Sequence, residues 1–206
     1  MISDAKIEVV SLRTIRLDPQ SYRRTPWKNG GGVTVDIADA YAAGVEPGAW
    51  NGMLWRFGHT RIVAPGPFSD LAGYDRILTV IGGRGLLLDI AGGATLDVRE
   101  AFRPVRFRGE DRIVSRLEAG PVRVLNLLAD RMRHVIDVAI LRGGDARALD
   151  HTINIAYALE HSAVAVDGAT LPLEDDAALR VERTGSRLEV ERGRIALAMI
   201  SSRSAP

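Results

Sequence analysis

Residues 86–98 read LLLDIAGGATLDV, and residues 164–173, VAVDGATLPL, repeat that pattern once three residues are dropped. A second echo follows in the same order, EAGPVRVLNLL at 118–128 and ERGRIALAMI at 191–200. Two echoes in one order point to two related β modules in a single chain. Working outward, short apolar or alternating runs bounded by Gly, Pro and Asp recur at Val33–Ile37, Ile77–Ile81, Val122–Leu128, Val135–Leu141, Thr152–Leu159, Leu188–Glu191 and Arg194–Ser201. Even spacing of such runs is the mark of an all-β sandwich or barrel. Asp176–Glu182 is the one candidate helix. A boundary near Ala129–His134 divides the chain into modules of residues 1–130 and 131–206, with HVIDVAIL opening the second as a strand and Gly143-Gly144-Asp145 forming a turn inside it.

Composition narrows the function classes. The chain has 206 residues, 46% of them hydrophobic, enough for a substantial core. Lys plus Arg number 27 against 26 Asp plus Glu, a net charge of +1, so no global field draws nucleic acid or an acidic membrane. The expected partner is a small molecule. Zero cysteines exclude disulfides and thiolate metal sites. MISDAKIEVV lacks the basic head and apolar run of a signal peptide, and no segment approaches the ~18 apolar residues of a membrane helix, so a cytoplasmic location is expected.

The stretch RTPWKNGGGVTVDI, Arg24 to Ile37, places three glycines directly before a clean alternation of Val33, Val35 and Ile37 with Thr34 and Asp36. The glycines therefore lead into a strand. A phosphate-binding P-loop instead needs its glycines to open a helix with a following Lys, and Lys28 precedes them here. ILTVIGGRGLLLDI (77–90) reads as a hairpin with GGRG as its turn. Asn29-Gly30 would by itself make a hairpin turn, which leaves Gly31 and Gly32 surplus unless a ligand or another segment approaches the backbone closely. Lys28 offers a cation, Asn29 a donor and an acceptor, and Trp27 a flat apolar face, a set suited to a small anionic or planar molecule.

PWKNGGGVT, then Leu54-Trp55-Arg56, then GPFSDLAGYDRILTVIGGRGLLL (66–88), then GPVRVLNLL (120–128) resemble the HutD family, also called the HutD/Ves family. The resemblance runs from about Tyr22 to Arg131. It implies a bicupin, two cupin-like β-barrels in one chain, and an association with bacterial histidine utilisation, in which the protein binds a pathway intermediate such as urocanate or formylglutamate and tempers the pathway. Carried over, the family's motif falls on Trp27, Lys28, Asn29, Gly30, Gly31, Gly32 and Thr34, on Trp55 and Arg56, on Gly66, Pro67, Phe68, Ser69, Gly73, Asp75 and Arg76, and on Asn126. Where many relatives carry an acidic-aromatic pair before an Asn-Leu-Met stretch, this chain has Val124-Leu125-Asn126-Leu127-Leu128.

Each candidate has a structural alternative. Arg56 and Arg76 can clamp a carboxylate, or pair with a structural Asp; we favour the ligand role for Arg56 and pairing with the adjacent Asp75 for Arg76. Trp55 can stack on a ligand or fill the core. Asn126, in the apolar strand VLNLL, must be satisfied by a backbone or a ligand, and its counterpart in the second echo is Ala198. His59, His134, His151 and His161 form no HxH or HxxxH pair, so neither a metal nor another cofactor is expected. No catalytic residue is assigned. The expected ligand site comprises Trp27, Lys28, Asn29, Gly30, Gly31, Gly32, Thr34, Trp55, Arg56, Arg76 and Asn126. The alternative is a metal-free enzyme, an isomerase, lyase or hydrolase acting on a small acid, with His59 or Asp36 as base. A regular strand over 55–61 puts His59 opposite Arg56, and a bulge at Gly58 would reverse that. Edge strands of two barrels invite a homodimer.

Overall fold

The computed structural model describes residues 8–11, 14–26, 32–182 and 184–203. Among them the chain is all β apart from one turn of 3-10 helix at Pro19–Ser21. The first strands along the chain are β1 (Glu8–Ser11), β2 (Thr14–Leu17), β3 (Arg23–Pro26), β4 (Gly32–Tyr41), β5 (Met53–Ile62) and β6 (Gly66–Pro67). Next come β7 (Tyr74–Gly82), β8 (Leu86–Ile90), β9 (Thr95–Val98), β10 (Val105–Arg108), β11 (Ile113–Leu117) and β12 (Val122–Asp130). The rest are β13 (His134–Arg142), β14 (Ala146–Leu149), β15 (Ile153–Ala158), β16 (Ser162–Val166), β17 (Ala169–Leu173), β18 (Ala178–Val181), β19 (Ser186–Arg192) and β20 (Arg194–Ser202).

Two compact units result, one of Arg23–Ile136 with Arg203, the other of the described residues up to Tyr22 with Asp137–Ser202. The first unit holds a six-stranded sheet in the order β10-β7-β12-β5-β4-β3 and a four-stranded sheet β6-β11-β8-β9. The second holds β1-β2-β18-β15-β20-β13 and β14-β19-β16-β17. Adding eight to the strand numbers converts β10-β7-β12-β5 into β18-β15-β20-β13, and the first four-stranded sheet into the second. The sequence echoes fall on these equivalent strands: residues 86–98 are the β8–β9 hairpin and 164–173 lie on β16–β17, while 122–128 lie on β12 and 194–200 on β20. Among the described residues no sheet closes into a barrel; each unit is a pair of open sheets, and the units differ in the strands added at the edges.

Alternation explains the cores. In the first unit Leu78, Val80, Val122 and Val124 from the large sheet meet Leu86, Leu88, Val98 and Ile113 from the small one. Leu179, Val181, Leu197 and Met199 meet Val164, Leu173, Leu188 and Val190 in the second unit. Burying one such side chain contributes roughly 1.5–3 kcal/mol relative to exposure, so residues recurring at a spacing of two stabilise a sheet that residues spaced for a helix could not.

Two sequence expectations are corrected by the structure, and its compact units are bounded differently from the two modules expected. GGRG is not a hairpin turn, because β7 and β8 lie in different sheets; Gly83 and Gly85 have φ of 88° and 83°, and a Cβ at Gly85 would lie 2.3 Å from Arg99 Cα. The segment is a glycine-dependent corner between sheets. The candidate helix Asp176–Glu182 instead contains β18, whose flank and strand bury Ala177, Leu179 and Val181 at period two while pairing with β15 and β2. Finally, a division after residue 130 differs from the observed units at both ends, since β2 pairs with β18 of the second unit and residues 131–136 belong with the first.

Candidate functional site

The apolar core of the first unit fills only one end of the space between its sheets. On β12 the inward row runs Val122, Val124, Asn126, Leu128, and the cavity begins where the valines stop. Neighbouring strands supply the rest through register: Leu128 lies opposite Arg56 of β5 on one side and Arg76 of β7 on the other, and Asn126 lies between Gly58 and Leu78. Thr34 and Asp36 of β4 stand opposite Thr60 and Gly58. The resulting cavity of about 530 Å³ is lined by these side chains with Thr25, Pro26, Trp50, Phe68, Ser69 and Leu71.

A β-bulge prepares the acidic side of this floor. Asp36 pairs with Gly58 but Ala38 pairs with Phe57, so Ile37 is an extra residue on β4, and Asp39 comes to stand opposite Arg56. β5 itself stays regular from Trp55 to Ile62 against β12. Gly58 is required at the bulge, because a Cβ there would lie 2.5 Å from the Val35 carbonyl oxygen. With Asp36 and Asp39 near each other, Arg23 donates to both: its Nη2 and Nε reach Asp36 Oδ2 at 2.8 and 3.2 Å, and Nη2 also donates to Asp39. Arg56 Nε lies 3.5 Å from Asp36 Oδ1, within ion-pair reach, and its guanidinium sits 4.2 Å from the centre of the Trp50 ring. Tyr74 Oη fixes this aromatic wall by donating to the Met53 and Trp50 carbonyls at 2.7 and 3.3 Å.

Arg76 is in a different position. It is 9% exposed, its guanidinium carbon lies 5.1 Å from the Phe68 ring and 4.9 Å from the Phe107 ring, and its Nε has no hydrogen-bond partner among the described residues. Burial, reinforced by repulsion from Arg56, pushes its guanidinium down to about 10. The expected pairing with Asp75 is not made: consecutive strand residues point to opposite faces, and Asp75 pairs with Arg131 at 3.1 Å. Among the described residues, Arg23 and Arg56 are balanced by Asp36 and Asp39, and Arg76 is the cation at the cavity left without a carboxylate. An uncompensated buried charge costs several kcal/mol, even after the face contacts with two phenylalanines return about 1–2.

Of the other sequence candidates, Thr34, Arg56 and Asn126 line the cavity and Gly32 is buried at the start of β4. Asn126 Oδ1 has no hydrogen-bond partner among the described residues. Trp55 is 1% exposed and, like His59, lies on the opposite face of β5 from Arg56, so neither lines the cavity. Trp27, Lys28, Asn29, Gly30 and Gly31 lie outside the described residues; Thr25, Pro26 and Thr34, on either side of them, line the cavity. Sequence reasoning missed Trp50, whose signal was an aromatic in the glycine-rich turn GAWNG, and left Phe68, which lines the cavity, out of the expected ligand site. Among the described residues no three of His, Cys, Asp and Glu group as metal ligands. No helix there is long and apolar enough to cross a membrane.

An all-β chain with paired sheets and a cationic interior cavity is a cupin-like protein in architecture. A cupin 2 barrel protein from Leptotrichia buccalis shares that fold at a TM-score of 0.51, 7% identity, 84% of this chain and 89% of its own. The chain belongs to the HutD family, whose model matches residues 19–198. HutD from Pseudomonas fluorescens SBW25 is similar to it at a TM-score of 0.79 and 29% identity, covering 93% of this chain and all of that one. A Pseudomonas putida protein described as an uncharacterised 21.2 kDa protein in the hutC 3' region is 36% identical over 118 residues, 57% of this chain and 59% of that relative's length. The match thus spans less than two thirds of that relative.

Proposed function

We propose that the protein binds a small carboxylic acid in the cavity of its first unit, without converting it, and that this binding serves histidine utilisation. The observation that carries the reading is Arg76, a buried cation beside the cavity with no carboxylate partner among the described residues. A ligand carboxylate offers two acceptor oxygens in the geometry of a guanidinium fork and removes the cost of the unpaired charge. Arg56, tied to Asp36 and covered by Trp50, shapes the neighbouring wall, and Asn126 provides an amide one row away. Trp27, Lys28, Asn29, Gly30 and Gly31 lie outside the described residues and are put forward as further ligand contacts on their chemistry alone, a flat face, a cation and amides; the described neighbours Thr25, Pro26 and Thr34 line the cavity.

Family membership and the hut neighbourhood of the P. putida relative support histidine utilisation as the setting, and urocanate and formylglutamate as the acids to try first. Each two-sheet unit is read as one cupin-like module of a duplicated chain. The enzyme alternative loses His59, which lies on the far face of a regular β5; Asp36, the carboxylate among the described lining residues, is engaged by Arg23. Calorimetric titration with urocanate and formylglutamate, with NMR of the same samples, tests the proposal. Binding with unchanged spectra of the acid is expected; turnover would make the protein an enzyme, and no heat from either acid would count against the site.

A further inference from the structure

The cavity has a second unmet need, three strands across the sheet from Arg76. Asp36 is 6% exposed and lines the cavity. Both hydrogen bonds from Arg23 go to its Oδ2, while Oδ1 is buried and accepts none among the described residues; Arg56 Nε approaches it to 3.5 Å without hydrogen-bond geometry. A carboxylate oxygen out of water and without a donor is a costly arrangement, and a donor brought by a ligand relieves it. Asp36 is on β4 and Arg76 on β7, with β5 and β12 between them. Three strand spacings put their backbones roughly 14 Å apart, a gap that the long Arg76 side chain narrows.

We infer that Asp36 is a specificity-determining residue that accepts an N–H from the ligand, so that the cavity selects a small acid carrying an N–H donor at the end away from its carboxylate. This rests on the carboxylate-binding reading, with Arg76 holding the acid end. The bulge at Ile37 and the glycine at position 58 then have a functional consequence: they bring Asp36 and Asp39 together for Arg23, which donates to Asp36 Oδ2 and leaves the buried Oδ1 without a hydrogen bond among the described residues.

The test uses two probes of nearly equal shape that differ in one ring position, 3-(1H-pyrrol-3-yl)propanoate with a ring N–H away from its acid chain and 3-(furan-3-yl)propanoate with a ring oxygen there, titrated into the full chain. The pyrrole acid should bind about tenfold or more tightly than the furan acid, the scale of selectivity expected where a buried polar group would otherwise be left unpaired. D36N, verified as folded by circular dichroism, should reduce that preference severalfold while still binding both acids. Equal affinity of the unaltered protein for the two acids overturns the role of Asp36 and leaves carboxylate binding intact, and it does so even if the variant fails to fold. Failure of both acids to bind overturns the carboxylate reading and, with it, this inference.

Discussion

Arg56 and Arg76 flank Leu128 on one row of the six-stranded sheet, one strand to either side, yet among the described residues only Arg56 of the two has a carboxylate within ion-pair reach. Two like charges face one cavity, and Asp36, the carboxylate among its described lining residues, lies beyond Arg56 from Arg76, which makes an arrangement poised for an anion. Arg76 carries the surplus charge, and both stability and binding should respond to that asymmetry and to the bulge that produces it.

Arg76→Met should leave the ligand-free protein as stable as before or raise its unfolding free energy, by about 1–3 kcal/mol, because replacing an uncompensated buried charge by an apolar side chain of similar length removes a desolvation cost. The aromatic faces of Phe68 and Phe107 remain available to the thioether. Urea denaturation of both proteins checks this, and a loss of several kcal/mol would show that Arg76 is a structural residue.

Asp36→Ala should destabilise by about 1–3 kcal/mol, since it leaves the buried Arg56 without its counter-charge and removes two hydrogen bonds from Arg23, itself partly exposed and so partly screened. Opposite signs for Arg76→Met and Asp36→Ala in the same denaturation series are the expected signature. Equal signs would contradict this balance of charge.

Gly58→Ala should cost about 1–3 kcal/mol, as its Cβ would lie 2.5 Å from a backbone oxygen that can move only with β4. The effect should reach the site through Asp36, so the folded fraction should also bind the acid more weakly. Affinity measured on folded protein that matched the parent would separate the bulge from the site.

Removing the His59 imidazole should leave acid binding within about twofold, a change of less than 0.5 kcal/mol, because the residue lies on the face of β5 away from Arg56 and Thr60. Titration of His59→Ala with the same acid is the measurement. A tenfold loss would restore His59 as a participant in the site.

Stability should fall on acidification in part through Glu110. Arg131 grips its carboxylate at 2.6 and 2.7 Å and, chiefly by those hydrogen bonds, holds it down to about 2 from an ordinary 4.5. A depressed native value means the contribution is complete above about 4.5 and is lost as pH falls toward 2, when the unfolded chain takes up the proton first. In Glu110→Gln the urea midpoint should fall less steeply between pH 5 and 2.5 than in the parent, and parallel curves would rule the pair out as a source of acid sensitivity.

Much of this architecture is legible in the sequence because strand burial repeats every two residues and the second unit repeats the first. Period and order, unlike identity, survive in LLLDIAGGATLDV and VAVDGATLPL. What the sequence hid was pairing between elements. Gly83 and Gly85 look the same whether the strands around them pair or part into two sheets, and the Asp176–Glu182 segment is too short for local preference to outweigh its neighbours β15 and β2. At the site, adjacency misled: Asp75 is next to Arg76 along the chain and on the other face of the strand, whereas Asp36, forty residues away, shares its cavity. Trp55 and Trp50 differ in the same way, one turned from the cavity by strand parity and the other brought over Arg56 by a turn.

The central claim is that Arg76 holds the carboxylate of a small acid. Parallel calorimetric titration of the parent and Arg76→Met with urocanate and formylglutamate, on proteins matched for folded content, tests it most directly. Binding by the parent and a loss of at least about tenfold in the variant are expected, the loss of a charge-assisted hydrogen bond being worth about 1.5–3 kcal/mol. Equal affinity in the two proteins would contradict it.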